Sequence, residues 1–300
     1  MTNTELLIIM ASQGTPDFSV AAAGDWGCNS NTLKTISNIV KSNPTLVIGL
    51  GDNSYQETGT CWLSMIKPFD AKIHTAFGNH DATPELIKEY LTYFKLTKPY
   101  YSFDFKNLHF ITIDTNAPLD QNSEQFRFVK SDLDKASSNK SIDWIIPFFH
   151  IPAYTIPSGE RIETLLPTEF ATVTSYDALR NAYQPLFDKY GIKIVLQAHA
   201  HNYQRTYPIM YNSKNPTNPV VTSTNNETYN NPSGEIYLTV GTGGRDLHAF
   251  VGSTPSYIHT KQDTLHGFLS LQFAGNGSTV TGRFYSNDLT KPIDQFTVTK

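Results

Sequence analysis

Short apolar runs bounded by Gly, Pro or Asn recur through the first two-thirds of this chain, alternating with stretches of helical spacing. Phe18–Gly24 leads into Gly-Asp, Leu46–Gly51 is equally compact, and Lys72–Phe77 is a third such run. Compact runs with turn residues at their ends read as buried strands. Asn31–Lys41 puts Leu33, Ile36 and Val40 on one side of a helix. Thr83–Phe94 opens a second helix, with Thr83 as N-cap and Pro84 at the first helical position. Tyr100–Phe105 and Leu108–Asp114 flank Lys106-Asn107, which reads as a hairpin turn. Glu124–Ser137 is helical, with Phe128 and Leu133 facing the core, and the helix Ala178–Tyr190 lies between the strands Trp144–Phe149 and Ile192–Gln197. Alternation of this kind builds an α/β layer structure.

The pattern changes at Tyr203. Tyr211–Gly234 is dense in Asn, Pro, Ser and Thr and reads as a long loop. Glu235–Val240, Gly267–Phe273, Thr279–Tyr285 and Gln295–Thr299 then follow as strands with no helix between them. No linker, repeat or low-complexity block divides the chain, so residues 17–300 are expected to form one domain, with residues 1–16 as an N-terminal extension. A chain of 300 residues buries a core without needing a staple to fold.

With 23 basic and 27 acidic residues and no Lys/Arg cluster, binding to a nucleic-acid backbone is not expected. Apolar runs such as Leu6–Ala11 fall far short of the roughly 20 residues of a membrane span. Met1–Pro16 lacks the basic start of a signal peptide. The polar residues are nonetheless mainly Asn, Ser, Thr and Tyr, with glycosylation sequons at Asn139, Asn226 and Asn276, and this leans toward a secreted, extracytoplasmic protein. Cys28 and Cys61 each lie a few residues beyond a Gly-Asp step. They are bridged if the preceding strands are neighbours and are free thiols otherwise; both readings stand.

The residues with chemistry follow the strands. In order they are Gly24-Asp25-Trp26-Gly27, Gly51-Asp52-Asn53-Ser54-Tyr55, Gly78-Asn79-His80-Asp81, His150, and His199-Ala200-His201. Loops beyond the carboxyl ends of strands form the ligand crevice of an α/β sheet. A crevice that gathers carboxylates, an amide oxygen, imidazoles and a phenol is a metal site by its donors, suited to Fe, Mn or Zn. Gly-Asp alone is ordinarily a turn with a capping Asp. The ordered set carries the signal.

That set resembles the purple acid phosphatases of the calcineurin-like metallophosphoesterase superfamily: Gly-Asp-x-Gly, Gly-Asp-x-x-Tyr, Gly-Asn-His-Asp, a strand-end His and His-x-His, in this order. Tyr55 separates that family from relatives that lack the tyrosine, and His150-Ile-Pro-Ala-Tyr154 is similar to plant-type members. The resemblance implies a four-layer α/β/β/α sandwich of two mixed sheets. It implies a ferric ion held by Asp25, Asp52, Tyr55 and His201, and a divalent ion (Fe, Zn or Mn) held by Asp52, Asn79, His150 and His199. A phenolate on ferric iron would give visible colour.

The activity implied is acid hydrolysis of small phosphate monoesters, with a metal-bound hydroxide attacking phosphorus. His80 would act as acid toward the leaving group, with Asp81 orienting it, and Arg161 and Tyr154 would contact substrate. Two departures stand out. Ala198 occupies a position where the family usually has Gly. The segment after Tyr154, Pro157-Ser-Gly159-Glu160-Arg161, lacks the second substrate-facing His. A phosphodiesterase or nucleotide pyrophosphatase on the same fold is the alternative, and a metal-binding protein without turnover is another. His74, His109, His248, His259 and His266 stand in no ligand motif and are read as structural or surface residues; Arg205 and Arg245 could reach a phosphate but are read as salt-bridge or surface residues.

Overall fold

In the computed structural model, which describes residues 16–157, 176–274, 277–288 and 290–300, the alternation becomes two sheets packed face to face. The first, seven-stranded, runs β11 (Thr228–Asn230), β16 (Asp294–Thr299), β15 (Thr279–Ser286), β14 (Gly267–Ala274), β1 (Pro16–Ala23), β2 (Leu46–Gly49) and β3 (Ile73–Thr75). The second, also seven-stranded, runs β13 (Ile258–Gln262), β8 (Tyr203–Thr206), β12 (Ile236–Val240), β7 (Ile194–Gln197), β6 (Trp144–Phe149), β5 (Leu108–Ile113) and β4 (Tyr101–Phe105). A short ladder of β9 (Ile209–Met210) and β10 (Val220–Val221) stands apart. β1, β2 and β3 are parallel, as are β5, β6, β7 and β12, and antiparallel strands extend each set. Both sheets are therefore mixed, as expected.

Period-two alternation sorts the side chains. On β5, Leu108 and Phe110 enter the core between the sheets, with Ile48, Leu196 and Leu271. Ile111 and Ile113 face the opposite way, into a second core against α4 (Glu124–Ser138). α4 buries Phe126, Val129, Leu133 and Ala136, while Phe128 is half-buried. The other face of the first sheet is covered by α1 (Ser30–Ser42), which packs on β14. α2 (Thr60–Met65) and α3 (Pro84–Tyr93) follow β2 and β3, and Thr83 caps α3 as its position predicts. The result is the four-layer α/β/β/α arrangement.

Three local differences have physical causes. α1 buries Thr32, Thr35, Ile36 and Ile39, whereas Leu33 and Val40 are 53% and 44% exposed. The Asn29 side chain accepts from the Asn31 and Thr32 N–H groups, and the Thr32 hydroxyl donates to the Trp26 carbonyl. These bonds turn the helix so that Thr32, not Leu33, faces in. In the expected helix Ala178–Tyr190, Leu179–Tyr183 is a π-turn before α5 (Gln184–Lys189). Pro185 has no N–H to give the preceding turn, and a widened turn accommodates it. The expected loop Tyr211–Gly234 contains β10 and β11, strands of two and three residues that are too short to show a pattern of their own.

Arg205 of β8 ties the sheets together. Its Nε and Nη2 donate to both carboxylate oxygens of Asp294 on β16, at 2.6 and 2.8 Å, and its Nη1 donates to the Tyr229 hydroxyl at 3.0 Å. Burial works against the Asp294 charge, but the Arg205 guanidinium outweighs it and holds the carboxyl below its usual range. Cys28, just beyond β1, is bonded to Cys61 in α2, which settles the alternative left open by the sequence.

Removing one partner of a buried ion pair strands the other. Arg205→Ala should lower stability by about 3–5 kcal/mol near neutral pH. A depressed carboxyl contributes above its ordinary pKa and loses that contribution as pH falls through the lowered value. The gap between wild type and variant in chemical denaturation should therefore shrink below about pH 4. The disulfide spans 33 residues of sequence. Replacing both cysteines by serine should cost about 3–4 kcal/mol, read as a lowered denaturation midpoint.

Candidate metal centre

The ligand candidates stand where parallel strands end. Asp25 follows β1, Asp52 follows β2, Asn79 follows β3, His150 directly follows β6, and His199 and His201 follow β7. The loops are laced together: Asp25 N–H donates to the Gly51 carbonyl and Trp26 N–H to the Asp52 carbonyl, both at 3.0 Å, and Ala198 N–H to the His150 carbonyl at 3.0 Å. Asp25, Asp52, Tyr55 and His199 take left-handed backbone angles, with φ of 57°, 52°, 54° and 68°. Such angles are costly for residues other than glycine and persist where surrounding bonds impose them. Close approach constrains Gly78 as well, because a Cβ there would lie 2.0 Å from Asp52 Oδ1.

Two donor groups meet at one residue. Asp52, His150 and His199 form one set, and Asp25, Asp52 and His201 the other, each with ligand atoms within 4.8 Å of one another. The Tyr55 hydroxyl is 3.1 Å from Asp25 Oδ1 and 2.9 Å from His201 Nε2, and Asn79 Oδ1 is 3.1 Å from His150 Nε2. All seven sequence-predicted ligands are thus brought together.

The imidazoles are oriented from behind. His150 Nδ1 lies 2.9 Å from the Leu50 carbonyl and His201 Nδ1 lies 2.7 Å from the Asp246 carbonyl. A carbonyl only accepts, so each Nδ1 carries the proton and each Nε2 turns a lone pair toward the cluster. Asp25 and Asp52 are fully buried. Burial pushes both carboxyls up, but His201 and His150 respectively outweigh it and hold them low. Burial, then Asp52 and Asp25, pushes the Tyr55 phenol well above its usual value. Burial and the neighbouring His150 push His199 down to about 4. A cation resolves these opposed demands, since it pairs with the carboxylates, takes the imidazole lone pairs and favours the phenolate. The residues present fit a metal.

The remaining site calls divide. His80 is exposed, its N–H donating to Asp52 Oδ1 at 2.9 Å and its ring 4.5 Å from that of Tyr55. Asp81 is buried, and its carboxylate accepts from Gly78 N–H at 2.9 Å, Asn53 N–H at 3.0 Å and Asn53 Nδ2 at 3.1 Å. Those bonds brace the two ligand loops rather than reach His80. Tyr154 requires a correction as a substrate contact. It is buried in the second core, its hydroxyl donates to Gln184 Oε1 at 2.5 Å, and its ring packs on Tyr237 and Tyr257. Arg161 lies outside the described residues. Ala198 is buried opposite Gly24, where a Cβ would come within 2.8 Å of the Ala198 Cβ, so the extra methyl is accommodated by a glycine across the crevice.

Sequence reasoning missed the segment after β12. The Asp246 carbonyl fixes His201, and the His248 ring stacks on the His201 ring with centroids 3.9 Å apart. The run Gly241-Thr242-Gly243-Gly244 directly beyond a strand was the available signal.

Against known proteins, the calcineurin-like phosphoesterase family model matches residues 18–203. The chain belongs to that family. It is 24% identical over 291 residues to purple acid phosphatase 23 of Arabidopsis thaliana, covering 81% of this chain and 57% of that protein. It is 27% identical over 217 residues to human acid phosphatase type 7, covering 66% and 48% respectively. The structure of the purple acid phosphatase PPD1 from yellow lupin superposes with a TM-score of 0.78 at 22% identity, covering 94% of this chain and 53% of that one. The chain thus spans about half the length of these relatives.

Asp81 offers a test of the brace. Asp81→Ala should leave the Gly78 and Asn53 donors unpaired, lowering stability by about 1–3 kcal/mol. It should also weaken metal retention about 10–100-fold in a chelator competition.

Proposed function

We propose that residues 17–300 form one catalytic unit that hydrolyses small phosphate monoesters at a binuclear metal centre. The observation that carries this reading is the position of Asp52 in both donor groups. A carboxylate common to two sets is the arrangement that holds a pair of ions. Asp25, Asp52, Tyr55 and His201 would hold a ferric ion, because only a highly charged cation favours phenolate between two carboxylates. Asp52 with the neutral donors Asn79, His150 and His199 suits a divalent ion: iron, zinc or manganese. When bound, the pair supplies Lewis-acid charge for the phosphoryl oxygens and acidifies water.

The chain supplies the rest. The Leu50 and Asp246 carbonyls keep the His150 and His201 lone pairs aimed inward. Asp81 keeps the Asp52 and Asn79 loops in register. His80, exposed beside Tyr55, is the group that hands a proton to the leaving oxygen. The Cys28–Cys61 bond and the exposed sequon residues Asn139 and Asn226 support a secreted glycoprotein; Asn276 is outside the described residues. No helix among the described residues is long and apolar enough to cross a membrane.

Metal analysis, a visible spectrum and a p-nitrophenyl phosphate assay from about pH 4 to pH 8 test the reading together. The expected results are about two ions per chain, turnover, and a colour that Tyr55→Phe bleaches while some activity remains. Asp52→Asn should reduce turnover by a factor of at least about 100 and lower the metal content. Full activity in that variant would sink the shared-carboxylate scheme. Activity in a colourless, iron-free protein would leave a zinc or manganese phosphoesterase.

A further inference from the structure

The segment beyond β12 lies against the ligand loops. Gly243 N–H donates to the Gly24 carbonyl at 2.8 Å, and Arg245 N–H donates to the Asp25 carbonyl at 2.9 Å. The Arg245 carbonyl accepts from the His266 ring at 2.9 Å. The turns that fix Asp25 and His201 therefore also fix the Arg245 backbone. Its side chain runs outward and is exposed, with the guanidinium over the Tyr55 ring, 4.9 Å from the centroid. Among the described residues no carboxylate forms an ion pair with it. A guanidinium that lies over an aromatic ring and has no carboxylate partner has N–H donors to offer a planar or tetrahedral anion.

The position decides which anion. The Tyr55 hydroxyl points into the carboxylate–imidazole cluster, and Arg245 lies over the ring that carries this hydroxyl. A phosphoryl group seated at the cluster stands at the hydroxyl end. The guanidinium lies over the ring itself, displaced from that end, where a group attached to the phosphoryl would extend. We propose that Arg245 is a specificity-determining residue that selects phosphoryl esters and anhydrides whose leaving group is or carries a second anion, a carboxylate or a phosphate. This rests on the phosphomonoesterase reading above. It also assigns a partner to an arginine that the sequence pattern left on the surface.

The test compares phenyl phosphate, 3-carboxyphenyl phosphate and inorganic pyrophosphate as substrates of wild type, Arg245→Ala and Arg245→Lys. The readout is the ratio of kcat/KM for each anionic substrate to that for phenyl phosphate, which does not depend on how much of a variant is folded. One charge-assisted hydrogen bond corresponds to about a tenfold fall in this ratio on Arg245→Ala, carried by KM, with Arg245→Lys between the two. A fall for the carboxylate alone or for pyrophosphate alone identifies which anion is read. A ratio unchanged in both would show that Arg245 only packs on Tyr55, and would overturn the proposal.

Calorimetric titration of metal-loaded protein with methylphosphonate and phosphonoacetate separates the two readings. Turnover with no Arg245-dependent preference overturns this inference alone. Arg245-dependent preference for phosphonoacetate without any turnover overturns the phosphatase reading and keeps the anion subsite.

Discussion

Two carboxylates buried side by side, with imidazoles as their cationic partners among the described residues, set the terms for everything around them. Asp25 and Asp52 have essentially no contact with water, and removing a carboxylate from water costs several kcal/mol unless something compensates. The chain compensates with main-chain donors, His199 N–H to Asp25 and His80 N–H to Asp52, each at 2.9 Å. It also bends four ligand residues into left-handed backbone to make the side chains converge. Two sheets meeting at the ends of their parallel strands provide the stiffness for this, because each ligand turn is hydrogen-bonded to another ligand turn rather than to solvent. The site is consequently a property of the whole sandwich. A single loop could not hold those angles.

The candidate ligand set was legible because strand ends in an α/β chain announce themselves. A compact apolar run followed by Gly-Asp or Gly-Asn-His marks the point where a side chain emerges into the crevice, and the order of such points survives in one dimension. What the pattern could not give was rotation. Leu33 and Val40 form a sound apolar stripe with Ile36, yet the cap at Asn29 and the Thr32 hydroxyl turn α1 off that stripe. Tyr154 lies close to a ligand candidate in sequence but in the second core, because Gln197 holds the turn after β6 through the Ala153 N–H and the Tyr154 carbonyl. β8 and β13 escaped notice for another reason. Tyr203–Thr206 is wholly buried although polar, its Gln204 and Arg205 satisfied by partners that are distant in sequence.

Contacts between segments also explain how a sequence departure is tolerated. Ala198 is one methyl larger than the glycine usual in the family it resembles, and Gly24 across the crevice leaves room for that methyl. The same close packing brings Gly241–Asp246 onto the ligand turns, so that main-chain atoms of a segment with no side-chain signal orient His201. Backbone carbonyls leave no mark in a motif, which is why the Leu50 and Asp246 carbonyls behind His150 and His201 are invisible in the sequence.

The bond between Cys28 and Cys61 bears on metal selection as well as on stability. These are the chain's two cysteines; Cys28 sits on the loop that follows Asp25, and Cys61 in α2, which follows Tyr55. As thiolates they would be the softest donors within reach and would compete for zinc, copper or ferrous iron during assembly. With the sulfurs bonded to each other, the donor groups among the described residues are oxygen and imidazole donors, and no thiolate competes with them.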